Sequence, residues 1–287
     1  MQVYGLKAQK FHTNNIRSLE ELEKLHEKFD WLWVDCPEPT PEELNIIAQF
    51  TKVDLKSLEA IKSGKTFPHH RRYDSYTLLS ISFATMEKGE LKTFPIYIII
   101  SQKAIFTLRT KESSPPVEYA IQALKDSTLE VENLEPSSIL CEVLRENTNR
   151  NLDVVMALRE VIEKLEEKAM AKPSKTVMSE VFTLRKQIAT FYRILWNEQQ
   201  IVGGLKNGLI PNIKLCERSI LSLEDTMNNI SRELEFLTSY DNALDGVLRL
   251  QDLSMIHRVE RTLVYLTIIT VIMNLILILL EMGGPRG

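Results

Sequence analysis

The chain has 287 residues, of which 44% are hydrophobic and 26% charged, and its formal net charge is −4. This length allows two domains with ordinary hydrophobic cores, and the small negative charge gives no sign of nucleic-acid binding. The three cysteines, Cys36, Cys141 and Cys216, are far apart and odd in number. They fit neither a disulfide framework nor a zinc site, and they indicate a reducing compartment.

Residues 1–126 have the pattern of a mixed α/β domain. Residues 31–35 predict a short strand, and Thr40 precedes a predicted helix that begins at Pro41. Glu43 lies three residues after Thr40, which is the spacing of a capping box. Further strands are predicted where β-branched and aromatic residues cluster, and a helix is predicted after a Ser-Ser-Pro-Pro sequence. These strands cover residues 75–83, 94–100 and 104–109, and the helix opens at residues 113–116.

The chain becomes helical after Pro136. Apolar residues recur at helical spacing over 137–170 without Gly or Pro, and a second helical run over 177–202 is expected to end at Gly203 and Gly204. We therefore assign residues 127–210 to a helical hairpin and 211–262 to a stalk helix. The stalk helix and its continuation would be about 70 residues long, and a helix of that length needs neighbours. We expect the stalk to bundle with its own copies and with the hairpin.

The stalk helix is expected to continue into a membrane. Residues 263–280 are 18 consecutive uncharged residues, at the lower limit for crossing a bilayer. We assign 263–281 to a transmembrane helix. His257, Arg258 and Arg261 precede this segment and only Arg286 follows it, so the positive-inside rule places the N-terminal body in the cytoplasm.

The few polar residues near this segment share one helical face. They are spaced by 7, 3, 4 and 7 residues, and they are Glu260, Thr267, Thr270, Asn274 and Glu281. Unpaired polar groups are costly in hydrocarbon, so such a stripe usually faces other helices or water. One interpretation is a ring of copies that lines a pore. The other is that Thr and Asn form local hydrogen bonds or a helix contact.

Other candidate sites have simpler interpretations. His69–Arg72 is a basic cluster that could bind metal or phosphate, but a solvated strand edge or loop is favoured. Glu224 and Asp225 could hold a hard cation, and a solvated face is again favoured. The acidic face on the first long helix is interleaved with Arg and Lys, which favours helix salt bridges. Three aromatic residues of the second long helix are interpreted as packing anchors: Phe191, Tyr192 and Trp196.

The sequence contains no phosphate-binding glycine loop, HExxH, CxxC or nucleophile elbow. Its carboxylates are dispersed and its histidines few, so we do not expect an enzyme.

Three segments together resemble the CorA family of divalent-cation, mainly magnesium, transporters. Residues 33–44 (WVDCPEPTPEEL) are similar to the family's opening motif, and residues 67–76 (FPHHRRYDSY) are similar to its basic segment before an apolar strand. Residues 266–270 (LTIIT) match the entry of the family's pore helix into the bilayer. The resemblance covers nearly the whole chain. It implies an α+β fold, with a cytosolic α/β/α domain followed by a long helical stalk that runs into the transmembrane helix.

The resemblance also implies a function and a set of sites. It implies a homopentamer in the cell membrane, with passive flow of Mg²⁺ through a pore lined by the C-terminal helix. Mg²⁺ would be both the transported and the regulatory ion, with Co²⁺, Ni²⁺ and Zn²⁺ as alternatives and no organic cofactor. Asp225 lies near a stalk position where some members carry a regulatory carboxylate. The implied pore-lining residues are Glu260, Leu263, Thr267, Thr270, Asn274 and Leu277.

The sequence departs from the family pattern at its C-terminal end. The family's Gly-Met-Asn selectivity motif would fall on Gly284, Pro285 and Arg286, and no second membrane helix follows. A cation filter that ends in an arginine would repel its ion. Two interpretations remain open, a truncated or frameshifted transporter and a single-helix form. The alternative function is a membrane-anchored oligomeric scaffold, sensor or regulatory paralogue without transport activity of its own.

Overall fold

The structure is a computed structural model that describes residues 1–7, 10–63, 67–126, 134–171 and 175–283. It divides into two compact units, one formed by residues 1–159 and 187–239 and the other by residues 160–186 and 240–287. The elements, in chain order, are β1 (Gln2–Lys7), β2 (Lys10–Asn15), α1 (Leu19–Lys28), β3 (Trp31–Pro37), α2 (Pro41–Thr51), α3 (Leu55–Glu59), a 3₁₀ turn (Ala60–Ser63), β4 (His69–Arg72), β5 (Thr77–Glu87), β6 (Glu90–Ile100), β7 (Ala104–Arg109), α4 (Pro115–Lys125), α5 (Pro136–Ala171), α6 (Lys175–Lys206) and α7 (Glu217–Gly283).

The first unit is built on a mixed seven-stranded sheet with the order β2-β1-β3-β7-β6-β5-β4. Only β3 and β7 pair in parallel among these strands. β5 and β6 form a long hairpin whose two-residue turn places Lys88 at φ 52° and Gly89 at φ 82°. Positive φ at both central residues is the geometry that matches the twist of paired strands. The predicted α+β architecture is confirmed.

One face of the sheet packs against α1, α2 and α3. The shared core joins Leu22 of α1 and Leu44 of α2 to strand residues such as Val34 and Phe106, which are fully buried. The predicted capping box at α2 is present. The Glu43 N–H donates to Thr40 Oγ1 at 3.2 Å and the Thr40 N–H donates to Glu43 Oε2 at 3.0 Å. The local sequence thus fixes where α2 begins, and its apolar side closes the core.

A buried ion pair joins β3 to β7. Arg109 donates from Nη2 to Asp35 Oδ2 at 2.9 Å and from Nε to Asp35 Oδ1 at 3.1 Å. Thr107 Oγ1 donates to the same Oδ1 at 2.7 Å, and Trp33 Nε1 donates to Thr107 Oγ1 at 3.0 Å. Asp35 is fully buried and Arg109 is 5% exposed. The fork of the guanidinium therefore compensates a carboxylate that would otherwise be costly to bury.

The helix α6 differs from its prediction at its C-terminal end. It continues through Gly203 and Gly204 to Lys206, and the chain turns at Gly208, whose φ is 66°. A Cβ at position 204 would lie 3.2 Å from Ile210 Cγ1, so the missing side chain lets the following turn fold back onto the helix. Gly204 thus serves close packing, and the left-handed residue that ends the helix lies four positions later.

The aromatic residues of α6 are only partly the packing anchors that were predicted. Phe191 is fully buried, but Tyr192 is 39% exposed and Trp196 is 49% exposed. Their spacing of one and five residues from Phe191 turns them away from the side that carries Phe191 and Leu195. The prediction is wrong for Tyr192 and Trp196.

The helix α7 is a single element of 67 residues, close to the predicted length of about 70. Leu223, Ile230 and Leu237 recur at a spacing of seven and are buried in the first unit. From residue 252 the described side chains of α7 are all exposed. The helix therefore changes from a packed stalk to an apolar segment that this single chain does not cover.

Candidate pore-lining segment

The C-terminal part of α7 has the length and composition needed to cross a membrane. Within the described residues it is the one helix that meets both criteria, and none of its most apolar stretch is buried. Leu263, Ile269 and Ile276 are each at least 50% exposed in the single chain. A continuous exposed apolar surface of this kind is stable only against lipid or other protein chains.

The two threonines of the polar stripe bond within their own helix. Thr267 Oγ1 donates to the Leu263 carbonyl at 2.9 Å, and Thr270 Oγ1 donates to the Leu266 carbonyl at 2.8 Å. These are the local hydrogen bonds that Ser and Thr form in helices. Each hydroxyl oxygen still carries a lone pair, so both residues can accept a hydrogen bond from outside the helix.

Asn274 differs from the threonines. In the part of the chain that the structure describes, its side-chain amide has no hydrogen-bond partner and lies within the apolar segment. Placing an amide in hydrocarbon without a hydrogen-bond partner costs on the order of several kcal/mol, at least as much as a lost hydrogen bond. If the segment lies in a membrane, the exposed Asn274 amide is expected to bind water or a neighbouring chain.

Glu260 lies at the polar end of the same face. Its Oε2 is 3.1 Å from His257 Nδ1, and both side chains are well exposed. At about 100° per residue, the six sequence-predicted positions fall within an arc of about 100° on α7. The continuous helix brings Leu263 and Leu277 onto this arc together with the polar residues.

The remaining predicted sites contribute less. Gly284, Pro285 and Arg286 lie outside the described residues. Asp225 is exposed, and its neighbour Glu224 accepts from Lys206 Nζ at 2.9 Å. Over the described ranges, no group of three or more His, Cys, Asp or Glu side chains is arranged to hold a metal ion.

The basic cluster forms the edge strand β4. Each of its four side chains is exposed, and among the described strands it pairs only with β5. His69 Nδ1 lies 3.0 Å from the Phe67 carbonyl, and Arg71 stacks on Tyr73. The favoured interpretation as a solvated strand edge is confirmed, and charge on an edge strand also opposes unwanted pairing with other strands.

The buried carboxyl groups of Glu198 and Glu233 are not among the sequence-predicted sites. The available signal was spacing. Glu198 follows Leu184, Ile188, Phe191 and Leu195 at intervals of three and four residues, so it occupies a core position of α6.

Comparison with known proteins identifies the family. The family described as CorA-like Mg2+ transporter protein matches residues 28–275. The cobalt/magnesium transport protein CorA of Methanocaldococcus jannaschii is 21% identical over 239 residues, which are 80% of this chain and 73% of that protein.

Solved structures share the fold. The complete CorA magnesium transporter of Methanocaldococcus jannaschii superposes with a TM-score of 0.80 at 17% identity and covers 100% of this chain and 87% of its own. The full-length CmaX protein superposes with a TM-score of 0.76 at 16% identity, and the match covers 100% of this chain and 87% of that protein. The ZntB cytoplasmic domain of Vibrio parahaemolyticus superposes with a TM-score of 0.65 at 14% identity, and the match covers 91% of this chain and 98% of that domain. The family match spans most of the chain, and the chain belongs to the CorA-like Mg²⁺ transporter family.

Proposed function

We propose that this chain is a subunit of an oligomeric, channel-type transporter for divalent cations, with Mg²⁺ as its principal ion. The C-terminal segment of several copies would line the pore, and ions would pass passively down the membrane potential. The family match and the name of the relative support the ion class. Co²⁺, Ni²⁺ and Zn²⁺ remain alternatives.

The observation that carries the pore proposal is the exposed amide of Asn274 inside the apolar segment. A single helix surrounded by lipid leaves this group without a partner, whereas a ring of copies gives it water or the neighbouring amides. The threonines support the same arrangement, because their hydroxyl oxygens can accept hydrogen bonds from the water shell of a hydrated ion. We infer that Glu260 marks the mouth of the pore on the side of the N-terminal body, where its charge would attract cations.

The placement in the cell follows from this proposal. The segment would lie in the cell membrane and the N-terminal body in the cytoplasm, in accordance with the basic residues before the segment. We also propose that Mg²⁺ binds between subunits as a regulatory ion, with Asp225 on the stalk as a candidate ligand, since the family resemblance implies a regulatory carboxylate near this position. The rival function is an oligomeric scaffold or regulatory subunit in which the same segment serves as an anchor.

Cysteine crosslinking distinguishes the two functions. In a Cys216→Ser background, Thr270→Cys places a thiol on the polar face and Ile272→Cys places one about 200° away on the apolar face. With the protein in liposomes, a pore predicts oxidative crosslinks between copies through position 270 and few through position 272. Crosslinks through 272 alone would contradict a shared polar axis.

A further inference from the structure

Two carboxyl groups are buried where α5, α6 and α7 meet β5. Glu198 on α6 is 2% exposed and Glu233 on α7 is 3% exposed. The two helices are held in register nearby by Gln199 Nε2, which donates to Ser231 Oγ at 2.8 Å. All of these residues belong to the first compact unit.

The Glu198 carboxyl is bound by neutral donors. The Ser82 N–H of β5 donates to Oε1 at 2.9 Å. Asn147 Nδ2 of α5 lies 3.4 Å from Oε1 and 3.5 Å from Oε2, and it also donates to the Ser82 carbonyl at 3.3 Å. Asn151, one turn further along α5, lies beside the same carboxyl and favours its charged form, although neither of its polar atoms completes a hydrogen bond.

Among the described residues, no Lys, Arg or His forms an ion pair with Glu198 or Glu233. Arg232 attracts Glu233 from the same helix, but its guanidinium hydrogen-bonds to Asn229. Two carboxylates that interact in a dry interior without a cation cannot both stay ionised at low cost.

The cluster also contains more unpaired acceptors than donors. Three buried oxygens have no donor, Asn147 Oδ1, Asn151 Oδ1 and Glu233 Oε2, whereas Asn151 Nδ2 is an unpaired buried donor beside them. Buried acceptors in folded proteins are nearly always paired, so a ligand that brings a donor or a positive charge is indicated. A proton meets both needs, because a protonated carboxyl gains an O–H donor and loses its charge.

The direction of the pKa shifts of Glu198 and Glu233 agrees with a bound proton. Burial raises the pKa of Glu198 to about 8, against the lowering effect of the Ser82 N–H and the two amides. Burial, and then the charge of Glu198, raises the pKa of Glu233 to about 9, while Arg232 lowers it.

We propose that the Glu198–Glu233 cluster is a proton-binding site inside the subunit, which holds at least one proton at neutral pH and thereby joins α5, α6 and α7. The proposal concerns the packed body of the chain and stands whether or not the C-terminal segment conducts ions.

Infrared spectroscopy tests the bound proton directly. The purified full-length protein, labelled with carbon-13 at its glutamate carboxyls, is measured in detergent with a chelator at neutral pH. We expect a band of protonated, dehydrated carboxyl that is weakened by Glu198→Gln or Glu233→Gln alone, is lost when the two substitutions are combined, and is kept in Glu235→Gln, an exposed control on the same helix. Absence of the band in the unsubstituted protein overturns the proposal. Its disappearance on addition of Mg²⁺ would identify a metal site instead and would also overturn it.

The pH dependence of unfolding gives a second readout. The unfolded chain releases the proton near the ordinary pKa of 4.5, whereas the folded chain keeps it up to about 8. The stabilisation is therefore complete below 4.5 and is lost as the pH rises through 8. Per bound proton, the unfolding equilibrium constant should rise about tenfold per pH unit in that window. Glu198→Gln, which imitates the protonated form, should reduce the change of the unfolding equilibrium constant with pH by the contribution of one proton. Glu235→Gln should leave it unchanged. If Glu198→Gln does not fold, the infrared band of the unsubstituted protein decides the matter, and an unchanged slope in a folded variant contradicts the proposal.

Discussion

Asp35 shows how one side chain decides whether two strands can be buried together. It neutralises Arg109 and accepts from Thr107, which in turn accepts from Trp33. Such a network is costly to interrupt, because removal of the Asp35 charge leaves the buried Arg109 guanidinium with the exposed Glu118 carboxylate, whose Oε1 lies 3.3 Å from Nη1, in place of a buried partner. Replacing Asp35 with Asn removes the charge but hardly changes the shape of the side chain, since Asn and Asp are almost the same size.

Asp35→Asn is therefore expected to lower the free energy of unfolding by about 3–5 kcal/mol. Denaturant titration of the detergent-solubilised protein measures this change. The control is Glu87→Gln, which interrupts the exposed pair of Glu87 with Lys92 at 3.4 Å and should change the free energy by less than about 1 kcal/mol. Equal effects of the two substitutions would show that Asp35 does not carry the buried pair.

At this scale the sequence predicts local partners and fails for distant ones. The capping box of Thr40 and Glu43 is readable because its spacing of three residues is fixed by the helix. The pair of Asp35 and Arg109 is not readable, because 74 positions separate them and only the parallel pairing of β3 with β7 brings them together. Glu198 lay at a readable core spacing, but its partners on α5 and α7 depend on tertiary packing.

Among whole elements, the end of α6 gives a matched pair of tests. A Cβ at Gly203 would meet only Met227 Sδ at 3.8 Å, an ordinary contact, whereas at Gly204 it would press on Ile210 at 3.2 Å. Gly203→Ala is expected to stabilise the protein by up to about 1 kcal/mol, because alanine favours the helix.

Gly204→Ala should gain less than Gly203→Ala or destabilise the protein, because Ile210 is buried and must move. Thermal unfolding of both variants, compared with the unsubstituted protein, measures the difference. A larger gain at 204 than at 203 would contradict the close approach of the turn that follows α6.

Long periodic elements were predicted well, and weakly patterned ones were not. Strands β5, β6 and β7 of the seven-stranded sheet and the three long helices have strong β-branched or 3.6-residue patterns. The hairpin of β1 and β2 and the short α3 lack such patterns, and their pairing with β3 and the core decides their structure. The end of α6 was misjudged because glycines usually mark a helix end, whereas here they permit close packing.

At the scale of the whole molecule, the single chain is incomplete as a membrane protein. Its body has a closed core, yet the apolar part of α7 is exposed on every side and carries the unpartnered Asn274. In the proposed pore, a ring of copies would supply a common partner for both features, since the polar arc would face the centre and the rest of each helix would face lipid or its neighbours. The apolar segment and its stripe were visible in the sequence because composition and period alone define them.

The central claim is that copies of this chain conduct Mg²⁺ through a pore lined by the polar face of α7. We would measure Mg²⁺ uptake into liposomes that carry the purified 287-residue protein and an enclosed fluorescent indicator. A conducting pore predicts uptake above that of empty liposomes. It also predicts a severalfold loss in Asn274→Leu, which removes the amide from the pore but should still assemble, and little change in the apolar-face control Ile272→Leu. No uptake by folded, inserted protein, or equal uptake by the protein and Asn274→Leu, would contradict it.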